Sequence, residues 1–158
     1  MTEEDAGFLR RAIALSREHM RADAGGPFGA VVARDGRVLG EGWNRVTSTN
    51  DPTAHAEVVA IRAACAAAGS FSLEGAVLYT SCEPCPMCLA AAYWARVARI
   101  VYANAREDAA AIGFDDEFLY REIPLPHDAR SLPIRRALAD EAIAVFREWE
   151  AKEDRVPY

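Results

Sequence analysis

Two short runs carry the residues best suited to chemistry, His55-Ala56-Glu57 and Pro84-Cys85-Pro86-Met87-Cys88. Each falls where the surrounding pattern predicts the start of a helix, and a predicted strand separates the two helices. Cys85 and Cys88 stand three apart, so one helical turn presents both thiols the same way. The positive end of a helix favours thiolate over thiol, and thiolate is the form that binds zinc. One imidazole and two thiolates supply three ligands and leave a fourth tetrahedral position open. That open position separates a catalytic zinc site from a closed structural one. Zn²⁺ with two thiolates and a neutral imidazole is formally neutral, so a bound water can lose its proton without leaving a large uncompensated charge. Zinc can bring the pKa of such a water down to about 7. Glu57 is placed to hold that water and carry its proton without being a ligand.

Other readings of the cysteines are weaker. Cys82 to Cys88 also reads C-x-x-C-x-x-C, part of an iron–sulfur ligand set, but that run needs a fourth cysteine soon after and positions 91 and 92 are alanine. A closed zinc site using Cys82 as fourth ligand leaves Glu57 without a role. Cys82 is expected as a small packed residue at a strand end, and Cys65, among alanines, as core. His19 and His127 have no partners nearby in sequence and are expected in surface or structural roles.

The elements that must position these groups follow from periodicity. From Glu3 to about Ala22, Phe8, Leu9, Ala12, Ile13 and Met20 fall near one face at helical spacing, with Thr2 as N-cap and three acids in the first turn. Gly25-Gly26-Pro27 stops that helix. Phe28 to Ala33 and Arg37 to Gly42 are β-prone runs around Asp35-Gly36, a strong hairpin signal. A polar loop, Asn44 to Thr53, leads to an Ala-rich helix from about Ala54 to Ala68, ended by Gly69. Ala76 to Thr80 reads as a buried strand, Cys85 to Val97 as a helix with Pro86 in its first turn, and Ile100 to Ala103 as a second buried strand. Strands alternating with helices predict a mixed α/β sheet covered on both faces. Beyond Asn104, Arg106 to Ile112 reads as a short helix and Arg135 to Lys152 as a longer one. Between these, Glu122 to Pro133 carries three prolines and reads as a connection. No repeat or linker marks a second domain.

Bulk properties narrow the partner. The chain has 158 residues, 51% apolar and 27% charged, which suits one soluble domain. No apolar run approaches the roughly 18–20 residues of a membrane span. The acidic start, Met1 to Asp5, lacks the basic opening of a secretory signal, so the protein is expected in the cytoplasm. There a tight cysteine cluster suggests metal more than disulfides. Lys and Arg total 18 against 24 Asp and Glu, a formal net charge of −6. A polyanion partner is usually announced by a basic field, so a small molecule is expected in preference to nucleic acid.

H-x-E followed by P-C-x-x-C is the recorded signature of zinc nucleobase deaminases. At these residues the chain resembles the cytidine-deaminase superfamily, and within it the small bacterial guanine deaminases. The likeness extends to Gly26-Pro27-Phe28-Gly29-Ala30, to Asn50 through Glu57 and to Tyr79 through Cys88. It continues through Tyr93-Trp94-Ala95-Arg96, Gly113-Phe114-Asp115-Asp116 and the final Tyr158. It is thinnest from Leu125 to Asp154.

The resemblance implies a three-layer α/β sandwich of the cytidine-deaminase type, with a mixed five-stranded sheet between helices. It implies a single domain over 1–158, one zinc per subunit, and a homodimer that exchanges its C-terminal segments (about 135–158). It also implies conversion of guanine and water to xanthine and ammonia. Glu57 would carry the proton, Asp116 would be a second acid, and the Ala56 N–H a stabilising donor. Substrate contacts would come from Phe28 and Trp94 around the base, Asn44 through its amide, Asp115 or Asp116, and Tyr158 as a closing tail. The zinc motifs are blind to the ring presented. A tRNA adenosine deaminase, a deaminase of cytosine, a nucleoside or an amino-triazine, and a binding protein on a deaminase fold therefore remain as alternatives.

Overall fold

In the computed structural model, which describes Met1 to Tyr158, the chain opens with helix α1 (Glu3–Arg21). Thr2 caps it as the sequence predicts. Its hydroxyl accepts from the Asp5 N–H while the Asp5 carboxylate accepts from the Thr2 N–H, a reciprocal capping box. The hairpin follows as β1 (Gly29–Arg34) and β2 (Arg37–Trp43), turning through Asp35 and Gly36, both at positive φ as a primed turn requires. A short helix, α2 (Val46–Thr49), occupies part of the segment expected as loop. Then come α3 (Ala56–Ala68), β3 (Val77–Cys82), α4 (Pro86–Trp94) and β4 (Arg99–Asn104).

The sheet runs β2-β1-β3-β4. β1 is antiparallel to both neighbours, whereas β3 and β4 are parallel and joined through α4. Alternation along the strands sorts the core into two layers. On one face Val31, Ala33 and Tyr79 pack with Ala12 and Leu15 of α1. On the other, Ala30, Val32 and Leu78 pack with Ala56, Ala60, Ile61 and Ala64 of α3 and Ala92 of α4. Asp5 ties α1 to the sheet: its Oδ1 accepts from the Tyr79 hydroxyl at 2.8 Å and the Arg99 guanidinium at 2.6 Å. Arg99 beside it holds the Asp5 carboxyl well below the usual carboxylate range, and burial next to Asp5 pushes Tyr79 up to about 12.

The sheet has four strands and not the five implied by family resemblance. After β4 the chain forms α5 (Arg106–Ala111), α6 (Glu117–Glu122), a 3-10 turn at His127–Ala129 and α7 (Ala139–Ala151). Pro124, Pro126 and Pro133 punctuate this stretch, and proline removes the N–H a ladder needs. The last helix also starts four residues later than Arg135. Leu138 stands at φ 52°, a left-handed conformation that cannot be a turn of right-handed helix. The chain divides into two compact units, Met1–Asp116 and Glu117–Tyr158. No helix is long and apolar enough to cross a membrane.

One contact fixes where α3 begins. Ala56, Ala60 and Ala64, one turn apart, are fully buried, and they face Gly40 and Gly42 of β2. A Cβ at Gly42 would lie 2.3 Å from the Ala56 carbonyl oxygen and 2.5 Å from the Ala60 nitrogen; one at Gly40 would lie 2.5 Å from the Ala60 carbonyl oxygen. Helix backbone therefore rests on strand backbone, with no room for a methyl group. Gly42→Ala is expected to destabilise the protein by about 1–3 kcal/mol, the usual penalty of overpacking. Gly7→Ala, in α1 with open space around it, is expected to stabilise by about 0.5–1 kcal/mol. Thermal melts of the two variants check this, and equal melting temperatures would refute the close-contact argument.

Candidate metal and substrate site

His55 and Cys85 hold the same position in their helices: each is the N-cap, with extended backbone, of α3 and α4 respectively. N-caps are usually Ser, Thr, Asp or Asn, whose side chains fold back onto the first-turn N–H groups. Neither His55 nor Cys85 makes a capping bond, so both side chains are left to project from the helix start. Pro86 at the first position of α4 needs no N–H partner and presets the turn that brings Cys88 round beside Cys85. The ligand atoms of His55, Cys85 and Cys88 all lie within 4.8 Å of one another, with Cys85 Sγ 3.6 Å from His55 Nδ1. Cys88 is fully buried, while His55 and Cys85 are half-buried and reachable. One imidazole and two sulfurs gathered this closely fit a tetrahedral zinc ion that keeps one position for another molecule.

Of the three donors, Cys85 is the one whose surroundings already favour thiolate. The Cys88 S–H and the His55 ring hold the Cys85 thiol below its ordinary range, while burial beside Cys85 pushes Cys88 above it. His55 is raised by Cys85. Cys82 lies apart from this: it is buried at the end of β3, its S–H reaches the Ala105 carbonyl at 3.7 Å, and burial pushes it up to about 11. That is the packed strand-end residue expected from sequence. Cys65 is half-buried against the core, and His19 stacks on Trp43 at 3.5 Å between ring centroids.

Glu57, the second residue of α3, is only 6% exposed. Its Oε2 lies 3.4 Å from Cys88 Sγ, and its Oε1 accepts from the Thr80 hydroxyl at 3.3 Å. Burial pushes its carboxyl up. Ala56, fully buried, begins α3, where helical geometry offers its N–H no acceptor within the helix.

Asn44 is buried beside the end of β2, and its amide is already half used. Oδ1 accepts from the Gly26 and Val46 N–H groups, each at 3.2 Å. Sequence reasoning expected donors and an acceptor together; the backbone takes the acceptor, which leaves the NH₂ as the group able to meet a ligand. Phe28, half-buried against the core, meets Phe114 edge-on, with ring centroids 4.9 Å apart. Asp116 is half-buried and raised by burial and by the charge on Cys85, whereas Asp115 is exposed. Trp94, the last residue of α4, is exposed, and so is Tyr158 at the end of the second unit.

The structure thus gathers His55, Ala56, Glu57, Cys85 and Cys88, sets Asp116 within their field, and anchors Asn44 and Phe28 through their own partners. Sequence reasoning did not single out Thr80 or Phe114. Phe114 had a signal in its run with Asp115 and Asp116, and Thr80 had one as a polar residue inside a buried strand.

Comparison with known proteins bears on this geometry. A family model described as the cytidine and deoxycytidylate deaminase zinc-binding region matches residues 2–104. Guanine deaminase of Bacillus subtilis (strain 168) is 51% identical over 142 residues, covering 90% of this chain and 91% of that protein. The X-ray structure of guanine deaminase from Bacillus subtilis superposes with a TM-score of 0.95 at 48% identity, over 100% of this chain and 99% of that one. A tRNA-specific adenosine deaminase of Agrobacterium fabrum is also 51% identical, but over 76 residues, 48% of this chain and 50% of that protein.

Proposed function

The chain belongs to the cytidine and deoxycytidylate deaminase family, and on that premise we propose that it hydrolyses guanine to xanthine and ammonia. The observation that carries the substrate is the likeness to guanine deaminase at 51% identity along nearly the whole chain; a tRNA-specific adenosine deaminase reaches that identity over only half of it, and another that covers 73% of the chain is 37% identical. The net charge of −6 points the same way, because a tRNA substrate calls for a basic surface. The intact set of His55, Glu57, Cys85 and Cys88 favours an enzyme over a binding protein on the same fold.

His55, Cys85 and Cys88 would hold one zinc ion per chain. When bound, it lowers the pKa of a water molecule and makes it a nucleophile near neutral pH. The chain's own groups do the rest. Glu57 takes the proton of the attacking water and passes it to a ring nitrogen of guanine as the C2–oxygen bond forms. Glu57 then takes the remaining proton from the new C2 hydroxyl and, directly or through Asp116, delivers it to the departing amine, so the C2 carbonyl forms and ammonia leaves as the C2–nitrogen bond breaks. The Ala56 N–H steadies the oxygen at the reacting carbon. Asn44, with its carbonyl committed to Gly26 and Val46, donates its NH₂ to an acceptor on the purine edge. Phe28 and Trp94 border the ring, and Asp116 receives the substrate N–H groups.

The C-terminal segment supports a second part of the reading. No residue of the second unit is buried, yet α7 exposes Ile143, Val145, Phe146 and Trp149. An amphipathic helix with no burial of its own suits exchange between two copies, with Tyr158 closing a site and excluding water. A homodimer is the state this implies.

Ammonia release from the purified protein over a panel of purines, pyrimidines, nucleosides and amino-triazines tests the substrate. Guanine is expected to exceed every other compound, and adenosine in a tRNA anticodon stem by a wide margin. Faster inosine formation in tRNA would move the protein to another branch. For the tail, deleting Val156–Tyr158 is expected to leave zinc content and a dimeric sedimentation rate intact while sharply lowering kcat/KM for guanine. Unchanged kinetics, or a monomeric full-length protein, would count against the exchange.

A further inference from the structure

Strand β3 presents Leu78 and Thr80 to the α3 side of the sheet, where Ala30 and Val32 of β1 also point. Leu78, Ala30 and Val32 are apolar and fully buried; Thr80, 1% exposed, is the polar member of the row. Valine has nearly the same shape and suits a buried strand better, because a buried hydroxyl without an acceptor is destabilising. The acceptor Thr80 meets is Oε1 of Glu57, at 3.3 Å. The other carboxylate oxygen, Oε2, is the one 3.4 Å from Cys88 Sγ.

A glutamate's last torsion is broad and nearly two-fold, so a helix does not decide which way its carboxylate plane lies. The two oxygens of Glu57 nevertheless have different neighbours, one on the strand and one at the ligand cluster. We propose that Thr80 is a positioning residue for Glu57, its hydroxyl anchoring Oε1 to β3 so that Oε2 faces the cluster of His55, Cys85 and Cys88. The inference rests on Glu57 being the proton carrier. A group that takes a proton at one point and delivers it at another works best with one oxygen held and the other free. Thr80 supplies the hold from the sheet, which moves less than a loop. Its hydroxyl bonds to Glu57 and so acts through that residue.

Thr80→Val removes the hydroxyl at nearly constant volume, and Thr80→Ser keeps it. Thr80→Val is expected to bind zinc as the wild type does and to keep KM for guanine within about threefold, while kcat falls roughly 10–100-fold, the scale of one hydrogen bond to a charged group. Thr80→Ser is expected to restore kcat to within about threefold of wild type. A crystal structure of zinc-loaded Thr80→Val is expected to show the Glu57 carboxylate rotated from its wild-type plane. The proposal is overturned by wild-type kcat in Thr80→Val, by equal losses in both variants, which would mark a packing role, or by an unmoved carboxylate. If wild-type protein releases no ammonia from guanine, the functional reading fails instead. The carboxylate plane in the variant crystal then decides the positioning claim by itself.

Discussion

Helix α3 rests on β2 backbone to backbone, because Gly40 and Gly42 meet Ala56, Ala60 and Ala64 with nothing larger than a methyl between them. That contact sets the height and tilt of the helix over the sheet, and with it the place of His55 and Glu57 at its start. A bulkier residue at either glycine would lift the first turn of α3. The parallel crossover from β3 through α4 to β4 places the second helix start beside the first. The two N-caps then converge, and the donor set follows from their convergence. The dipole at the start of α4 favours negative charge on Cys85 at its N-cap.

The second consequence is electrostatic. Glu57 is almost wholly buried, and a carboxylate in such a place is tolerated when donors or a cation meet it. Thr80 meets one oxygen, and the other faces the cluster that fits a doubly charged ion. The groups around the site are accounted for in the same way. The carbonyl oxygen of Asn44 accepts from the backbone, its NH₂ is left for a ligand, and Asp116 is raised by burial and by the charge of Cys85. The surrounding framework is apolar on one face of the sheet and tied on the other by Asp5 between Tyr79 and Arg99.

What the sequence made legible was local. The N-cap at Thr2, the turn at Asp35-Gly36, the αL stop at Gly69 and the two helix starts with their ligands are all decided by neighbours within a few residues. What it obscured depends on distant partners or on backbone strain. The left-handed Leu138 delays α7, the fifth strand that the resemblance implied does not form, and Val46–Thr49 coils into one turn inside a polar loop. At the site, Thr80 matters because it faces a residue 23 positions away, and the committed oxygen of Asn44 depends on Gly26, 18 positions away. Neither pairing leaves a trace in spacing.

The central claim is that Glu57 moves the proton while His55, Cys85 and Cys88 hold the metal. Zinc analysis and steady-state kinetics of Glu57→Gln, measured on one preparation, test it most directly. The account predicts about one zinc per chain, as in wild type, with kcat lower by roughly 10²–10⁴-fold, the usual size of general acid–base catalysis. Loss of zinc from the variant would make Glu57 a ligand, and near-normal turnover would give the proton to another group; either result would contradict the account.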